Sequence, residues 1–153
     1  MSYRLHPSIL RDLGLRAALK SECEHVVDTT PLRLDLDVDE IPEQVPPDAA
    51  LCLFRITQES LRNIARHASA SRVSINLRRL NGGLQLTVKD NGQGFDPEGP
   101  RAKASLGLAS MRQRVALLGG QLKIDSKPFQ GTTISAWVPI KEATAEQPAR
   151  VAG

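Results

Sequence analysis

The chain has 153 residues, 41% of them hydrophobic and 24% charged, with a formal net charge of +3 and a pI near 9.1. That is enough apolar material for one substantial core, and it excludes disorder along the whole length. The arginines are scattered rather than run together, which argues against direct nucleic-acid binding, whereas mild basicity suits an anionic nucleotide or an acidic partner face.

Cys23 and Cys52 stand alone within helical patterns, without a CxxC pair or a histidine cluster, and read as reduced core thiols of a cytoplasmic protein. No apolar run approaches a membrane span and no signal peptide opens the chain, so the segment is expected to be soluble.

In chain order, residues 7 to about 27 are expected to be helical, with Leu13, Leu15, Ala18, Leu19, Val26 and Val27 among the apolar positions and Gly14 as a candidate break. Residues 31–38 alternate Leu32, Leu34, Leu36 and Val38 against Arg33, Asp35 and Asp37, the pattern of a half-buried strand. A proline-rich connection follows over residues 41–47. Residues 53–68 then carry apolar side chains at helical spacing, and Arg55, Glu59, Arg62, Asn63 and Arg66 share the opposite side, three or four residues apart. Such a face is most often only solvated. Glu59 and Asn63, however, lie one turn apart. An amide oxygen is a good hard ligand for Mg²⁺, which makes Asn63 the metal candidate. A carboxylate one turn earlier can orient or deprotonate a nucleophile near the γ-phosphate, which makes Glu59 the candidate base.

Val73, Ile75 and Leu77 alternate with polar residues, Asn81-Gly82-Gly83 turns the chain, and Leu84, Leu86 and Val88 return it. The run Asp90-Asn91-Gly92-Gln93-Gly94-Phe95 follows directly. A carboxylate at Asp90 can accept a hydrogen bond from the exocyclic amine of adenine, whereas guanine presents an oxygen there. Gly92 and Gly94 lack a Cβ and are expected to allow positive φ and close approach to a flat ligand, although Asp-Asn-Gly is also a common turn. Residues 96–104 are polar and breaker-rich and read as a short mobile lid, from which Arg101 or Lys103 can reach phosphate.

Ser105-Leu106-Gly107-Leu108 opens another helix, with Leu108, Met111, Val115 and Leu118 as its apolar stripe and Gly119-Gly120 as its stop. Helix N-termini favour anions, so Gly107 and Leu108 are phosphate candidates, though a Gly-Leu pair before a helix is usually only a joint. Two strands, over about residues 121–126 and 132–139, form a hairpin around 128–131, in which Gln130-Gly131-Thr132-Thr133 offers a hydroxyl beside a glycine. Residues 141–153 lack periodicity and read as a frayed tail.

Taken in order, Glu59-x-x-x-Asn63-x-x-x-His67, Asp90-x-Gly92-x-Gly94, Gly107-Leu108-x-x-Met111-Arg112 and Gly131-Thr132 resemble the motif series of the GHKL ATPases. They look like the N, first-glycine, second-glycine and closing Gly-Thr boxes of the histidine kinase catalytic and ATP-binding domain. The nearer likeness is to sensor kinases paired with helix-turn-helix response regulators. It rests on Thr57-Gln58-Glu59-Ser60-Leu61-Arg62-Asn63 with Arg66-His67-Ala68, on Met111-Arg112-Gln113-Arg114, and on Leu118-Gly119-Gly120. The opening Arg4-Leu5-His6-Pro7-Ser8-Ile9-Leu10-Arg11-Asp12-Leu13-Gly14-Leu15 is similar to that subfamily's junction between dimerisation helices and catalytic domain.

This resemblance spans about residues 4–140 and implies a junction over 1–14, a catalytic domain over 15–140 and a tail over 141–153. It implies a Bergerat-type α/β two-layer sandwich, with three helices on one face of a mixed, mainly antiparallel sheet, in agreement with the elements read above. It implies ATP and Mg²⁺ as ligands, with Asn63, Arg66, His67, Asp90, Gly92, Gly94, Gly107, Leu108 and Thr132 around the nucleotide and Glu59 and Asn63 serving the chemistry. The implied activity is transfer of the γ-phosphoryl group to a histidine on an upstream dimerisation helix, for relay to a response regulator by a homodimeric parent. Other readings are a different GHKL enzyme, such as an anti-sigma serine kinase, and a module that binds nucleotide or a partner without chemistry.

Two positions depart from the pattern, Ser105 and Phe129, where family members often have glycine or, at the first, histidine. Ser105 is expected to cap or steady the loop before its helix, and Phe129 to stiffen the hairpin. None of the three histidines suits the acceptor role: His6 precedes Pro7 at the helix exit, His25 lies on the first catalytic-domain helix and His67 lies in the N box. The acceptor is therefore expected upstream.

Overall fold

In the computed structural model, residues 8–103 and 105–140 are described; the expectations for His6, for the first part of the junction and for the 141–153 tail fall outside them. The helix expected over residues 7–27 is two helices, α1 (Ser8–Leu13) and α2 (Leu15–Thr29). Gly14 divides them because it takes φ 92°, a conformation L side chains avoid. Its N–H still closes α1 onto the Leu10 carbonyl at 3.1 Å, and its own carbonyl receives the Ala18 N–H at 3.1 Å. Leu15, Ala18, Leu19, Cys23 and Val26 make the buried stripe of α2. Both cysteines are free and buried, and burial pushes the Cys23 thiol to about 12 and the Cys52 thiol to about 11, so both are held as inert thiols.

Strand β1 (Arg33–Val38) leads to α3 (Pro47–Asn63), which starts earlier than its apolar periodicity suggested. Pro47 suits the first helical position, where its missing N–H costs nothing, and Asp48 complements the helix dipole. The α-helix ends at Asn63 and continues as one π-helical turn, Ile64–Ala68, closed by Ser69 at φ 51°. Strands β2 (Arg72–Leu80) and β3 (Gly83–Asp90) form a hairpin whose two loop residues, Asn81 and Gly82, take φ 50° and 76°, matching the twist of the flanking strands. The chain then passes through a short helix, α4 (Pro100–Lys103), to α5 (Leu106–Leu117) and the hairpin of β4 (Gln121–Ser126) and β5 (Thr132–Pro139).

The sheet has five strands in the order β1-β2-β3-β5-β4, with β1 parallel to β2 and every other pair antiparallel. One face is apolar: Val73, Ile75, Leu77, Leu84, Leu86, Val88, Ile134, Ala136 and Val138 are buried, while most of their alternates are polar and more exposed. The helices α2, α3 and α5 cover that face, as the two-layer expectation required. Each such valine, leucine or isoleucine contributes about 1.5–3 kcal/mol on burial, which holds the layers together. On the open face, Trp137 donates from Nε1 to the Leu80 carbonyl at 2.8 Å and lies over Gly83, where any Cβ would collide with its ring. No helix among the described residues is long and apolar enough to cross a membrane.

Candidate functional site

The end of β3 carries Asp90 to the floor of a cleft between the sheet and the α3 and α5 helices. Asp90 is only 6% exposed, because in register it stands between Val73 of β2 and Thr132 of β5. Its Oδ1 accepts the Gly92 N–H at 2.7 Å, and the Thr132 backbone N–H also serves the carboxylate. Burial raises its pKa above the usual carboxylate value, and these two hydrogen bonds oppose the rise. The cleft has a volume of about 350 Å³ and is lined by Asn63, Asp90, Gln93, Gly94, Phe95, Ala102, Ser105, Leu108, Thr132 and Ile134. Five residues expected at the site from sequence, Asn63, Asp90, Gly94, Leu108 and Thr132, thus share one cavity of the size that holds a small ligand.

The loops around the cleft are tied by side chains that sequence reading left aside. Asn91 is not turned toward a ligand. Its Oδ1 accepts the N–H groups of Ser71 and Arg72, each at 3.0 Å, and its Nδ2 donates to Ser71 Oγ at 3.0 Å, which fastens the Asp90 loop to the start of β2. Ser126 joins three pieces: its Oγ accepts the Phe95 N–H at 2.8 Å, pairs with Thr132 Oγ1 at 2.7 Å and donates to the Gly131 carbonyl at 3.2 Å. The signal for Ser126 lay in strand pairing, since it faces Thr132 in register, and no motif marks it.

The positive φ expected at both glycines is found at Gly94, φ 66°, and not at Gly92. Gly94 is needed for packing as well: a Cβ there would overlap the Lys127 carbonyl of the β4–β5 hairpin. That hairpin is fastened to the loop by the Phe129 N–H, which donates to the Gln93 carbonyl. Phe129 itself takes φ 68° and is 87% exposed, so a bulky side chain occupies a position that favours glycine. Ser105 behaves as expected, capping α5 by accepting the Leu108 N–H at 3.2 Å.

Glu59 does not line the Asp90 cleft. It opens onto a second hollow of about 290 Å³ between α3 and α5, with Arg55, Gln58, Arg62, Ser110, Met111 and Arg114. Arg62 Nη1 lies 3.7 Å from Glu59 Oε1, and Arg55 donates to Gln58 Oε1 at 2.8 Å. Arg55 has its pKa lowered by burial first and by the charge of Arg114 second, and three arginines beside one carboxylate make the hollow predominantly cationic. Asn63, one turn on, faces the first cleft, so a single turn of α3 separates two chemically distinct spaces. Gly107 sits against Glu59 at the start of α5. Arg66 is exposed on the π turn, outside both sets of lining residues. The side chains of His67, Arg101 and Lys103 lie outside the described set.

The model of the family described as histidine kinase-, DNA gyrase B- and HSP90-like ATPase matches residues 49–142. Sensor histidine kinase MctS of Rhizobium johnstonii is 38% identical over 141 residues, covering 91% of this chain and 30% of that protein. Signal transduction histidine-protein kinase/phosphatase DegS of Brevibacillus brevis is 37% identical over 138 residues, covering 90% of this chain and 36% of that protein. The chain therefore spans only about a third of the length of these curated relatives, 30% and 36%. Among solved structures, the histidine kinase domain of the blue-light activated histidine kinase from Erythrobacter litoralis EL346 superposes with a TM-score of 0.66 at 24% identity, covering 90% of this chain and 62% of that one. The histidine kinase AdeS of Acinetobacter baumannii gives 0.67 at 16% identity, covering 88% and 74%. At those identities the structures establish a shared fold.

Proposed function

The chain belongs to the family of histidine kinase-, DNA gyrase B- and HSP90-like ATPases, and from that premise we propose that it is the catalytic, ATP-binding domain of a sensor histidine kinase. The observation that carries this reading is the buried carboxylate of Asp90 at the floor of a largely apolar cleft. A carboxylate in such a place is costly unless it meets donors, and two backbone N–H groups leave acceptor capacity for the exocyclic amine of adenine. Leu108, Ile134 and Ala102 supply the apolar walls for a flat base. The amide oxygen of Asn63 would hold Mg²⁺ together with phosphate oxygens, and the ion would supply neutralisation of the phosphate charge.

In this reading the first cleft takes the nucleotide and the Glu59 hollow takes the acceptor imidazole. Transfer forms a bond from the imidazole nitrogen to the γ-phosphorus and breaks the bond from that phosphorus to the β,γ-bridging oxygen, whose electron pair leaves with ADP. The Glu59 carboxylate takes the imidazole proton. The acceptor histidine belongs to an upstream dimerisation helix and the phosphoryl group passes on to a response regulator; the relatives named as sensor histidine kinases support this assignment.

Calorimetry of the chain with Mg-ATP and Mg-GTP tests the reading. A hydrogen bond to a charged group contributes about 1.5–3 kcal/mol, so Asp90→Ala is expected to weaken ATP about 10- to 100-fold, and GTP is expected to bind more weakly than ATP to the wild type. Equal affinity for the two nucleotides would remove the adenine assignment.

A further inference from the structure

We propose that Gly107 is a positioning residue for Glu59: the missing side chain at the start of α5 is the seat in which the Glu59 carboxylate rests. A Cβ at Gly107 would overlap Glu59 Oε2 and stand 2.8 Å from its Cδ and 3.2 Å from its Cγ. No side chain, not even a methyl group, fits at 107 while Glu59 keeps this rotamer. On its other side the carboxylate is bounded by Arg62, whose Nη1 lies 3.7 Å from Oε1. The Glu59 and Arg62 side chains are 24% and 35% exposed, so solvent screens the pair and the ion pair by itself contributes little. What fixes the carboxylate is the space between a guanidinium on α3 and the backbone of α5.

The backbone at that place also suits a carboxylate. Leu106 and Gly107 open α5, and helix geometry leaves their N–H groups without an intrahelical acceptor, whereas the Leu108 N–H is engaged by Ser105 Oγ. Gly107 stands two residues after the Ser105 cap, so whatever moves the start of α5 also moves the seat of Glu59. A glycine at this position is commonly accounted for by close approach of a phosphate. Here the atoms nearest its missing Cβ belong to Glu59.

This inference rests on the assignment of Glu59 as the base, and the test separates the two. The obstructing atoms are the far end of a flexible side chain, so Gly107→Ala is expected to fold with Glu59 displaced. The contact is read first by a stability cycle on the chain. Alanine is the better helix former, so Gly107→Ala is expected to raise Tm in a Glu59→Ala background and to fail to raise it in the wild type. Equal effects in the two backgrounds would overturn the proposal. The chemistry is read in a protein that also carries the acceptor helices. There Gly107→Ala is expected to lower kcat by about 10²- to 10⁴-fold, as loss of a positioned base does, with the KM for ATP unchanged and with no further loss when Glu59→Gln is added. A Gly107→Ala variant that instead loses Mg-ATP affinity equally with and without Glu59 is a phosphate-site variant, and the proposal fails. Coupling in stability together with full activity of Glu59→Gln upholds the seat and removes Glu59 as the base.

Discussion

Asp90 is a carboxylate that the end of β3 buries at the candidate site. Burial raises its pKa above the value in the unfolded chain. A raised carboxyl group contributes stability that is fully present below its unfolded pKa and is lost as pH rises through its folded pKa. Burial therefore makes the charged form of Asp90 a net cost to the fold. Asp90→Asn is expected to melt above the wild type at pH 7, with the gain shrinking as the pH falls through the carboxylate range, and to bind ATP more weakly. A lower Tm at pH 7 would mean that the hydrogen bonds from Gly92 and Thr132 outweigh burial. Phe129 is a second costly residue, held at φ 68° with its ring 87% exposed. A non-glycine residue in the left-handed region costs about 1–2 kcal/mol, and glycine's extra freedom when unfolded returns about 0.5–1 kcal/mol. Phe129→Gly is expected to raise Tm by a few degrees without weakening ATP, read by thermal melting and calorimetry; a lower Tm would show that the ring packs in solution.

Within α3 the last two turns face two different spaces. Asn63 lines the Asp90 cleft and Glu59 the arginine-bordered hollow, although the two are neighbours along one helix face. Asn63→Ala is expected to weaken Mg-ATP binding and abolish transfer together, because a metal that bridges phosphates serves ground and transition states alike. Glu59→Gln keeps the shape and removes the charge, so nucleotide affinity is expected to change little while transfer to an acceptor helix falls about 10²- to 10⁴-fold. Calorimetry beside a phosphotransfer assay checks both; a Glu59→Gln variant that loses ATP binding but keeps its rate at saturation would reverse the division. The switch from α- to π-helix directly after Asn63 was not legible from hydrophobic spacing, which reads the same over so short a stretch. Its placement beside the cleft fits the tendency of such turns to occur at functional sites. Gly14 was legible as a candidate break because a glycine between two apolar runs offers the one residue able to take φ 92°.

Across the whole molecule, a layer of helices on one sheet face leaves the ends of β3 and β5 beside α5, and that junction is where the cleft opens. The motifs lie far apart in sequence, from Asn63 to Thr132, and converge because β3 is central and pairs with β5, placing Asp90 opposite Thr132. The same convergence lets Ser126 join the Phe95 loop to Thr132. On the outward face Trp137 is seated over Gly83.

Local chemistry and period were in the sequence by itself: alternating strands, the helical stripes, the Asn-Gly hairpin, the cap at Ser105 and the carboxylate at Asp90 each follow from residues within a few positions of one another. The order of the motifs carried the family as well. Tertiary structure alone decided which side chains share a space, because contact between α3 and α5 depends on how two helices cross over the sheet. That crossing set Glu59 against Gly107 and turned it away from the Asp90 cleft, whereas strand pairing made Asn91 and Ser126 fasteners of the site. Spacing along a chain states which residues can lie on one face of an element, and only packing between elements determines what that face meets.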